Sequence, residues 1–552
     1  MKHTTKIVSL VLALIFVVAL FAGCGGGQQQ QGGPQQPSGQ QGGNAPAANT
    51  PASVTVNPED TTAQTAGEHE VTETTKYADE LTYASGDLVV VNPLNPAFVA
   101  SSATVVMPML YDTLLQRLPE GGYGPRLATE WSSDNFIDWN IKLRDDVKFH
   151  NGDKFTAQDI ADTVAMCVGA PGSIGGIQWS AVKEVEIKGD YECVIHLNRP
   201  VIDWEDTMAN PMLAIFNKKA YDADNIQGIL VGTGPWKAGA FQASSYFELE
   251  ANDEYWGEKA LAKKFIMKCV TEQTAQAIMF ENGELDFAGV ANQNLAKYEA
   301  DPELEVDSYV MTNTQYIAFN MNSPICSDIN FRRAVLYAID RQDYNDITLQ
   351  GYGHTWDTGS YWGSRTDYKK DIPVIERDVE KAKEFLAQSS YVPGTPVKII
   401  AAMAMTISNA QVLQQQLADI GVTIDIFDTD NATLGATTTW GSTSYDMIAN
   451  SGPWTKLASS CDMFFRTQST GNKAQYSNPE MDELLTKAAQ TPNGPEREAL
   501  YYQVQDIAAE DIPYIGIFNM QMFVGRHANC GGVILWPDNY NDYSHAYKII
   551  EE

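Results

Sequence analysis

Residues 231–257 read VGTGPWKAGAFQASSYFELEANDEYWG. Gly232-Thr233-Gly234-Pro235 joins the freedom of glycine at positive φ to a proline-fixed φ, so a tight turn is expected there. Beyond it Phe247, Leu249 and Ala251 alternate with Glu248 and Glu250, the period of a half-buried strand. Asn252–Gly257 then interrupts the pattern with polar residues and two large aromatics, Tyr255 and Trp256. On residue chemistry alone this is a turn, a strand and a loop.

Working outward, Trp139, Ile141 and Leu143 alternate with Asn140, Lys142 and Arg144 as a strand, and His150-Asn151-Gly152-Asp153 follows as a turn. His150 there is either a ligand or base, or a turn residue. Thr156 caps a helix, with Asp159 at the third position and Ile160, Val164 and Val168 on one face. Asp87–Pro96 (DLVVVNPLNP) is expected as a short strand entering a loop. Residues 265–288 read as strand, helix and a Gly283-Glu284-Leu285-Asp286 turn. Asn313–Met321 is a strand apolar on nearly both faces, and Asp328 caps a helix through NFRRAVLYAIDR. The Arg332-Arg333 pair there serves an anionic ligand or neighbouring carboxylates. From Val397 the order is strand 398–402, helix 409–420 with Gly421 as its stop, and strand 422–427, which builds a parallel sheet with crossover helices. Asp378–Ala387, Asn478–Ala489 and Arg497–Glu510 are further helices.

These stretches occur in a recognisable order. GTGPW…NDEYWG, Tyr111–Leu115 (YDTLL), Pro125–Trp131 (PRLATEW) and above all LRDDVKFHNGDKFTAQDIADTV from Leu143 resemble the signatures of the family-5 extracellular solute-binding proteins. These are the oligopeptide, dipeptide and nickel receptors of ATP-binding cassette importers. The resemblance spans essentially Tyr77–Tyr547. It implies an α/β, type II periplasmic-binding-protein-like fold: two principal lobes joined by a two-crossing hinge, plus an inserted smaller lobe. Lobe I would combine residues 77–107, 206–270 and 525–552. Lobe II would be 108–205, inserted, and lobe III 271–524, with crossings near 265–271 and 523–526.

The amino terminus has its own logic. Lys2 and Lys6 precede an apolar run, Ile7–Ala22, too short to span a bilayer and ending in Ala22-Gly23-Cys24. Residues 1–23 are therefore expected to be a signal peptide. Leu20–Cys24 resembles a bacterial lipobox, with Phe21 where leucine is usual, which makes Cys24 the lipidated first residue. Residues 24–76, rich in Gly, Gln, Pro, Ala, Ser and Thr, hold too little apolar surface to offset ordering entropy. They are expected to be a disordered tether spanning about 40 Å, with His69 a solvated linker residue. The expected location is the outer face of a bacterial cell membrane, by lipid anchor, or the periplasm.

About 475 residues follow Tyr77, more than one hydrophobic core organises. The formal charge of −33 argues against nucleic acid or anionic lipid surfaces as partners. Cys167, Cys193, Cys269, Cys326, Cys461 and Cys530 form no CxxC pair, leaving disulfides and buried thiols both open. There is no G-x-S-x-G elbow, H-E-x-x-H, Walker loop or dinucleotide fingerprint, and the seven histidines lack metal-ligand spacing. Asp428-Thr429-Asp430-Asn431 begins like a calcium loop but lacks its glycine and terminal glutamate. No enzyme, cofactor or metal site is expected.

The resemblance implies a ligand, peptide or peptide-like, held in an inter-lobe cleft by a monomer that hands it to permease and ATPase subunits. By that resemblance Phe98, Ser101 and Ser102 line the cleft. Tyr445–Trp454 (YDMIANSGPW) would be the strand that meets an extended ligand, placing Asn450, Ser451, Gly452 and Trp454 at the site, with Trp440 as a second wall. Peptide receptors of this kind hold the ligand's ammonium with an aspartate just after this point. Here Thr455-Lys456 stands in that place, and Pro453 lacks an N–H. Either Lys456 faces the cleft and attracts an anionic group, or Asp462 takes over the amino-terminal role. A sensory or adhesive surface protein on the same scaffold, and a secreted hydrolase, are the alternatives.

Overall fold

The computed structural model describes residues 63–69, 72, 74–88, 92, 94, 101–119, 121–170, 173, 175–176, 179–355, 372–453, 457–492 and 494–551. Its frame is an 11-stranded mixed sheet. In spatial order its main path is Trp236–Gln242, Tyr246–Ala251, Lys264–Cys269, Glu80–Ser85, Phe287–Gly289, Tyr514–His527, Leu304–Phe319, Met447–Pro453, Pro396–Ala401 and Thr423–Asp428. The short strand Gly353–Thr355 pairs off this path with Tyr514–His527.

Two long strands run through the middle of it. Leu304–Phe319 and Tyr514–His527 pair antiparallel from Leu304 opposite His527 to Ala318 opposite Tyr514, with the register slipping between Val310 and Thr314. At that slip the buried Asn519 amide donates to the Met311 carbonyl at 2.8 Å and to Thr314 Oγ1 at 3.1 Å. A side chain thus supplies hydrogen bonds that the interrupted ladder does not.

Alternation across the pleat explains why the middle strands are apolar on both faces. Ile317, Phe319, Ile399, Met447 and Ala449 enter one core, beneath the helices Ile329–Ala338 and Ala404–Ala418. Tyr316, Ala318, Ile400 and Ile448 enter another, against Pro479–Ala488 and Pro495–Asp511. A third core surrounds Trp236, Phe265 and Tyr543 and continues into a separate four-stranded antiparallel sheet: Ala128–Ser132, Asp138–Leu143, Glu192–Leu197, Val182–Gly189. The helix Ala157–Val168 packs on that sheet, and the Thr156 N–H donates to the Asp159 carboxylate at 2.8 Å as its capping pattern predicts.

Four local expectations are corrected. The chain expected to form a structureless tether is structured at its described end: Gln64–Ala66 pairs with Val533–Leu535, and Lys76–Tyr77 with the carboxy-terminal strand Tyr547–Glu551. These residues need little apolar surface of their own because they complete the hydrogen bonds of an existing strand edge. His69 is accordingly no solvated residue; its Nε2 lies 2.7 Å from the Ala528 carbonyl and its Nδ1 3.0 Å from the Tyr547 hydroxyl. The expected strand at Asp87–Pro96 lies largely outside the described residues; the described strand upstream of it is Glu80–Ser85. Finally, the helix through NFRRAVLYAIDR stops at Ala338, because Asp340 caps a second helix, Arg341–Leu349. The Arg332 guanidinium donates to the carbonyls of Asp511 and Cys326 rather than to carboxylates or a ligand.

None of the six cysteines after Cys24 is in a disulfide and five are buried, and burial pushes the Cys167 and Cys193 thiols up to about 12. No helix among the described residues is long and apolar enough to cross a membrane.

Candidate functional site

The GTGP turn and the YWG loop meet a single carboxylate. Asp112, fully buried, accepts from Arg126 Nε at 2.6 Å, the Tyr255 hydroxyl at 3.0 Å, Trp256 Nε1 at 3.0 Å and Thr233 Oγ1 at 2.9 Å. Burial disfavours the Arg126 charge, yet the Asp112 carboxylate beside it holds the guanidinium pKa above its ordinary value. Arg144, itself held by Asp146, lies 3.7 Å over the Trp256 ring. The most recognisable residues of the sequence therefore build a joint of the scaffold.

The turn's glycines have a different reason from the one expected. Neither adopts positive φ. A Cβ on Gly232 would stand 2.0 Å from the Leu110 carbonyl oxygen, and one on Gly234 2.4 Å from that of Met109. Glycine is required because the turn closes on the end of the helix Ser101–Leu110, where the Gly234 N–H donates to the Leu110 carbonyl at 3.0 Å. His150 completes the joint. Its Nδ1 accepts from the Gly232 N–H at 3.2 Å and its Nε2 faces the Gly234 carbonyl at 3.0 Å, which sets one neutral tautomer. Burial pushes its pKa down to about 4, with the Gly234 hydrogen bond opposing. It is a turn residue.

The expected ligand residues fall in two places. Ser101 and Ser102 begin the helix Ser101–Leu110. Ser102 is buried, and its N–H donates to Asp87 Oδ1 at 3.0 Å, a bond that ties helix start to strand end. Asn450, Ser451 and Gly452 lie in Met447–Pro453, opposite Tyr316, Gln315 and Thr314. The Tyr316 hydroxyl, raised by burial, is hydrogen-bonded to the Asn450 side chain. Gly452 is a packing requirement too: a Cβ there would stand 2.3 Å from Phe464 Cζ. Trp440 is 38% exposed, in the loop before this strand. Asp462 already accepts from Arg466 Nε at 2.6 Å, one turn along its helix. Phe98, Trp454 and Lys456 lie outside the described residues, as does Cys24.

Sequence reasoning missed the polar features flanking this strand. Its partner Pro396–Ala401 reaches only Met447 and Ile448, so from Ala449 to Pro453 no described strand occupies that edge. Gln315, opposite Ser451, accepts from the buried Asn409 amide at 3.3 Å. The Asn409 and Asn313 side-chain oxygens are buried without a hydrogen-bond partner among the described residues. Alternation alone signalled this: Asn313 and Gln315 continue the face of Ile317 and Phe319 with polar groups.

Residues 122–474 match the family described as bacterial extracellular solute-binding proteins, family 5 middle. The chain belongs to this family. Among curated relatives, the nickel-binding periplasmic protein of Escherichia coli K12 is 24% identical over 83% of this chain and 92% of its own length. The oligopeptide-binding protein AppA of Bacillus subtilis 168 is 23% identical over 83% of this chain and 90% of its own. The solved structure of the ABC transporter substrate-binding protein CtaP of Listeria monocytogenes superposes with a TM-score of 0.72 at 22% identity, covering 83% of this chain and 96% of that one. Family-5 solute-binding proteins serve importers and are not enzymes, so the hydrolase alternative falls, and the type II binding-protein fold is the fold of this chain.

Proposed function

We propose that this family-5 solute-binding protein captures a peptide or peptide-like solute and delivers it, as a lipid-anchored monomer, to the permease and ATPase of an importer. The observation that carries the ligand class is the strand edge Ala449–Pro453, which no described strand occupies. An extended backbone adds to such an edge by main-chain hydrogen bonds. Peptide N–H groups are also the donors that the unpartnered oxygens of Asn313 and Asn409 lack. Phe98, Ser101, Ser102, Trp440, Trp454 and Lys456 are the remaining proposed ligand contacts, with Asp462 the alternative amino-terminal contact only if it leaves Arg466.

In this reading lobe I (77–107, 206–270 and 525–552, with 108–205 inserted) closes on lobe III (271–524) over the ligand. Buried cores separate along Leu304–Phe319 and Tyr514–His527: Tyr309 and Val524 pack with Trp236 and Phe265 of lobe I, and Tyr316 through Phe319 and Tyr514 through Phe518 belong to the other cores, so along these two strands the core boundary falls inside the 271–524 segment and not at its ends. The register slip at 310–314 lies between those cores, where bending is cheapest. Cys24 carries the lipid, and the residues after it hold the clamp at the membrane.

Mass spectrometry of solute retained through mild purification tests the ligand class. Recovery of short peptides is expected. Recovery of a metal chelate or sugar in their place, with no calorimetric binding of a mixed di- to pentapeptide pool, would overturn it.

A further inference from the structure

Three acids stand together where the inserted lobe ends: Asp203, Glu205 and Asp206. Two of them serve their own body. Glu205 accepts from Trp131 Nε1 at 2.9 Å, and Asp206 accepts from the Tyr123 hydroxyl. Trp204 beside them is buried in the core around Trp236. Asp203 reaches out of that body. Its carboxylate accepts from both terminal nitrogens of Arg497, which lies in the helix Pro495–Asp511 and belongs with the core around Tyr316 and Tyr501. The Arg497 side chain is 2% exposed there and that of Asp203 20%.

This contact crosses between lobes. By the division above, Asp203 belongs to lobe II and Arg497 to lobe III. The cores on which they stand share no buried residue, and they follow one another along Leu304–Phe319 and Tyr514–His527, whose register slips between Val310 and Thr314. Bodies joined in this way separate by bending at the strands, without opening a common core. A two-pronged bond between carboxylate and guanidinium tolerates little displacement, so that motion breaks it.

Its energetics suit a contact that is repeatedly made and broken. Closed, the two charges lose water and gain each other; open, each is hydrated again. These terms nearly cancel, so the pair selects one closed geometry without gluing the lobes together. An apolar contact of the same area would favour the closed form outright. Removing one partner upsets the balance, because the other charge is then buried without its counter-charge in the closed form and hydrated in the open one.

We propose that Asp203 and Arg497 are the latch of the clamp, positioning residues that hold lobe II against lobe III in the closed form and part when it opens. The latch rests on the closing-clamp reading above and extends it, since closure then engages the inserted lobe as well as lobe I. Apparent affinity for a solute scales with the fraction of protein in the closed form. The pair therefore acts on capture without touching the ligand.

Small-angle scattering on the purified full chain, without solute and with a mixed di- to pentapeptide pool, reads the separation of the lobes. Asp203→Asn keeps the side chain's shape and removes its charge, and the helix start loses nothing because Asp203 makes no capping bond to it. Without solute this variant should have a larger radius of gyration than wild type, and calorimetry should show the pool bound about threefold more weakly. Arg497→Lys, which keeps the charge but not the two-pronged geometry, should fall between the two. A purely structural role would lower stability and leave the radius as it is. Wild-type radius and affinity in folded Asp203→Asn, or in Arg497→Lys should the first variant not fold, overturn the latch. If wild type takes up no peptide while Asp203→Asn still has the larger radius, the peptide reading falls and the latch stands.

Discussion

Asp203 grips Arg497 with both carboxylate oxygens, at 3.1 and 2.7 Å, across 294 residues of sequence. Arg497 sits in the helix Pro495–Asp511 with its side chain 2% exposed, while Asp203 stands at the N-cap position of the short helix Trp204–Met208, its carboxylate turned to Arg497. The pair thus ties an element of the core around Trp204 to an element of the core around Tyr501. Burial disfavours the guanidinium charge, and the hydrogen bond with Asp203 holds its pKa above its ordinary value.

Removing one partner leaves the other charge buried without its counter-charge, which costs about 3 kcal/mol, whereas replacing both recovers much of that. Asp203→Asn should lower unfolding stability by about that amount, and Asp203→Asn with Arg497→Met should lower it clearly less. Equal losses in single and double variants, read by chemical denaturation, would mean the pair contributes nothing beyond contact.

His150 gives the fold an acid-sensitive term. Its folded pKa is about 4, below its ordinary 6.5, because burial penalises the charged ring. The folded state therefore binds fewer protons than the unfolded one between these values. Stability from this residue is whole above pH 6.5 and is lost as pH falls towards 4, up to about 3 kcal/mol. His150→Gln should lower stability at neutral pH and flatten that slope. A variant whose melting temperature falls as steeply as wild type between pH 6.5 and 4 would move the effect to other groups.

Asp112 is expected to act on the scaffold and not on the ligand. Asp112→Asn leaves Arg126 without its buried counter-charge and should cost about 3 kcal/mol, with ligand affinity per folded molecule within twofold. A large affinity loss in folded protein would place the GTGP–YWG joint in ligand recognition.

Much of this was legible beforehand. Capping residues Thr156, Asp328, Asp378 and Asn478 mark helix starts because their chemistry is local. The two-sided apolar strand at 313–321 was visible for the same reason. The convergence on Asp112 was not, since its partners lie up to 144 residues away and each reads locally as a turn or loop residue. The glycines at 232, 234 and 452 were visible, but their cause was not, because close approach is a property of what packs against them. At the ligand strand the sequence named Asn450–Gly452, while the open edge and the unpartnered Asn313 and Asn409 oxygens depend on where Pro396–Ala401 stops.

The last prediction concerns how the amino end of a bound peptide is held. An aspartate that captures an ammonium must have its charge available, and Asp462 is engaged by Arg466 one helical turn away. Freeing it would cost that pairing, so it is a poor replacement for the acid missing at Thr455-Lys456. Binding is then expected to rest on main-chain hydrogen bonds to the edge at 449–453 rather than on the terminal charge. Calorimetry of di- to pentapeptides against their N-acetylated forms should show less than a tenfold difference, under about 1.4 kcal/mol, and Asp462→Asn should bind the free peptides as wild type does. A tenfold or greater loss on acetylation, matched by an equal loss in Asp462→Asn, would show that Asp462 leaves Arg466 for the ligand.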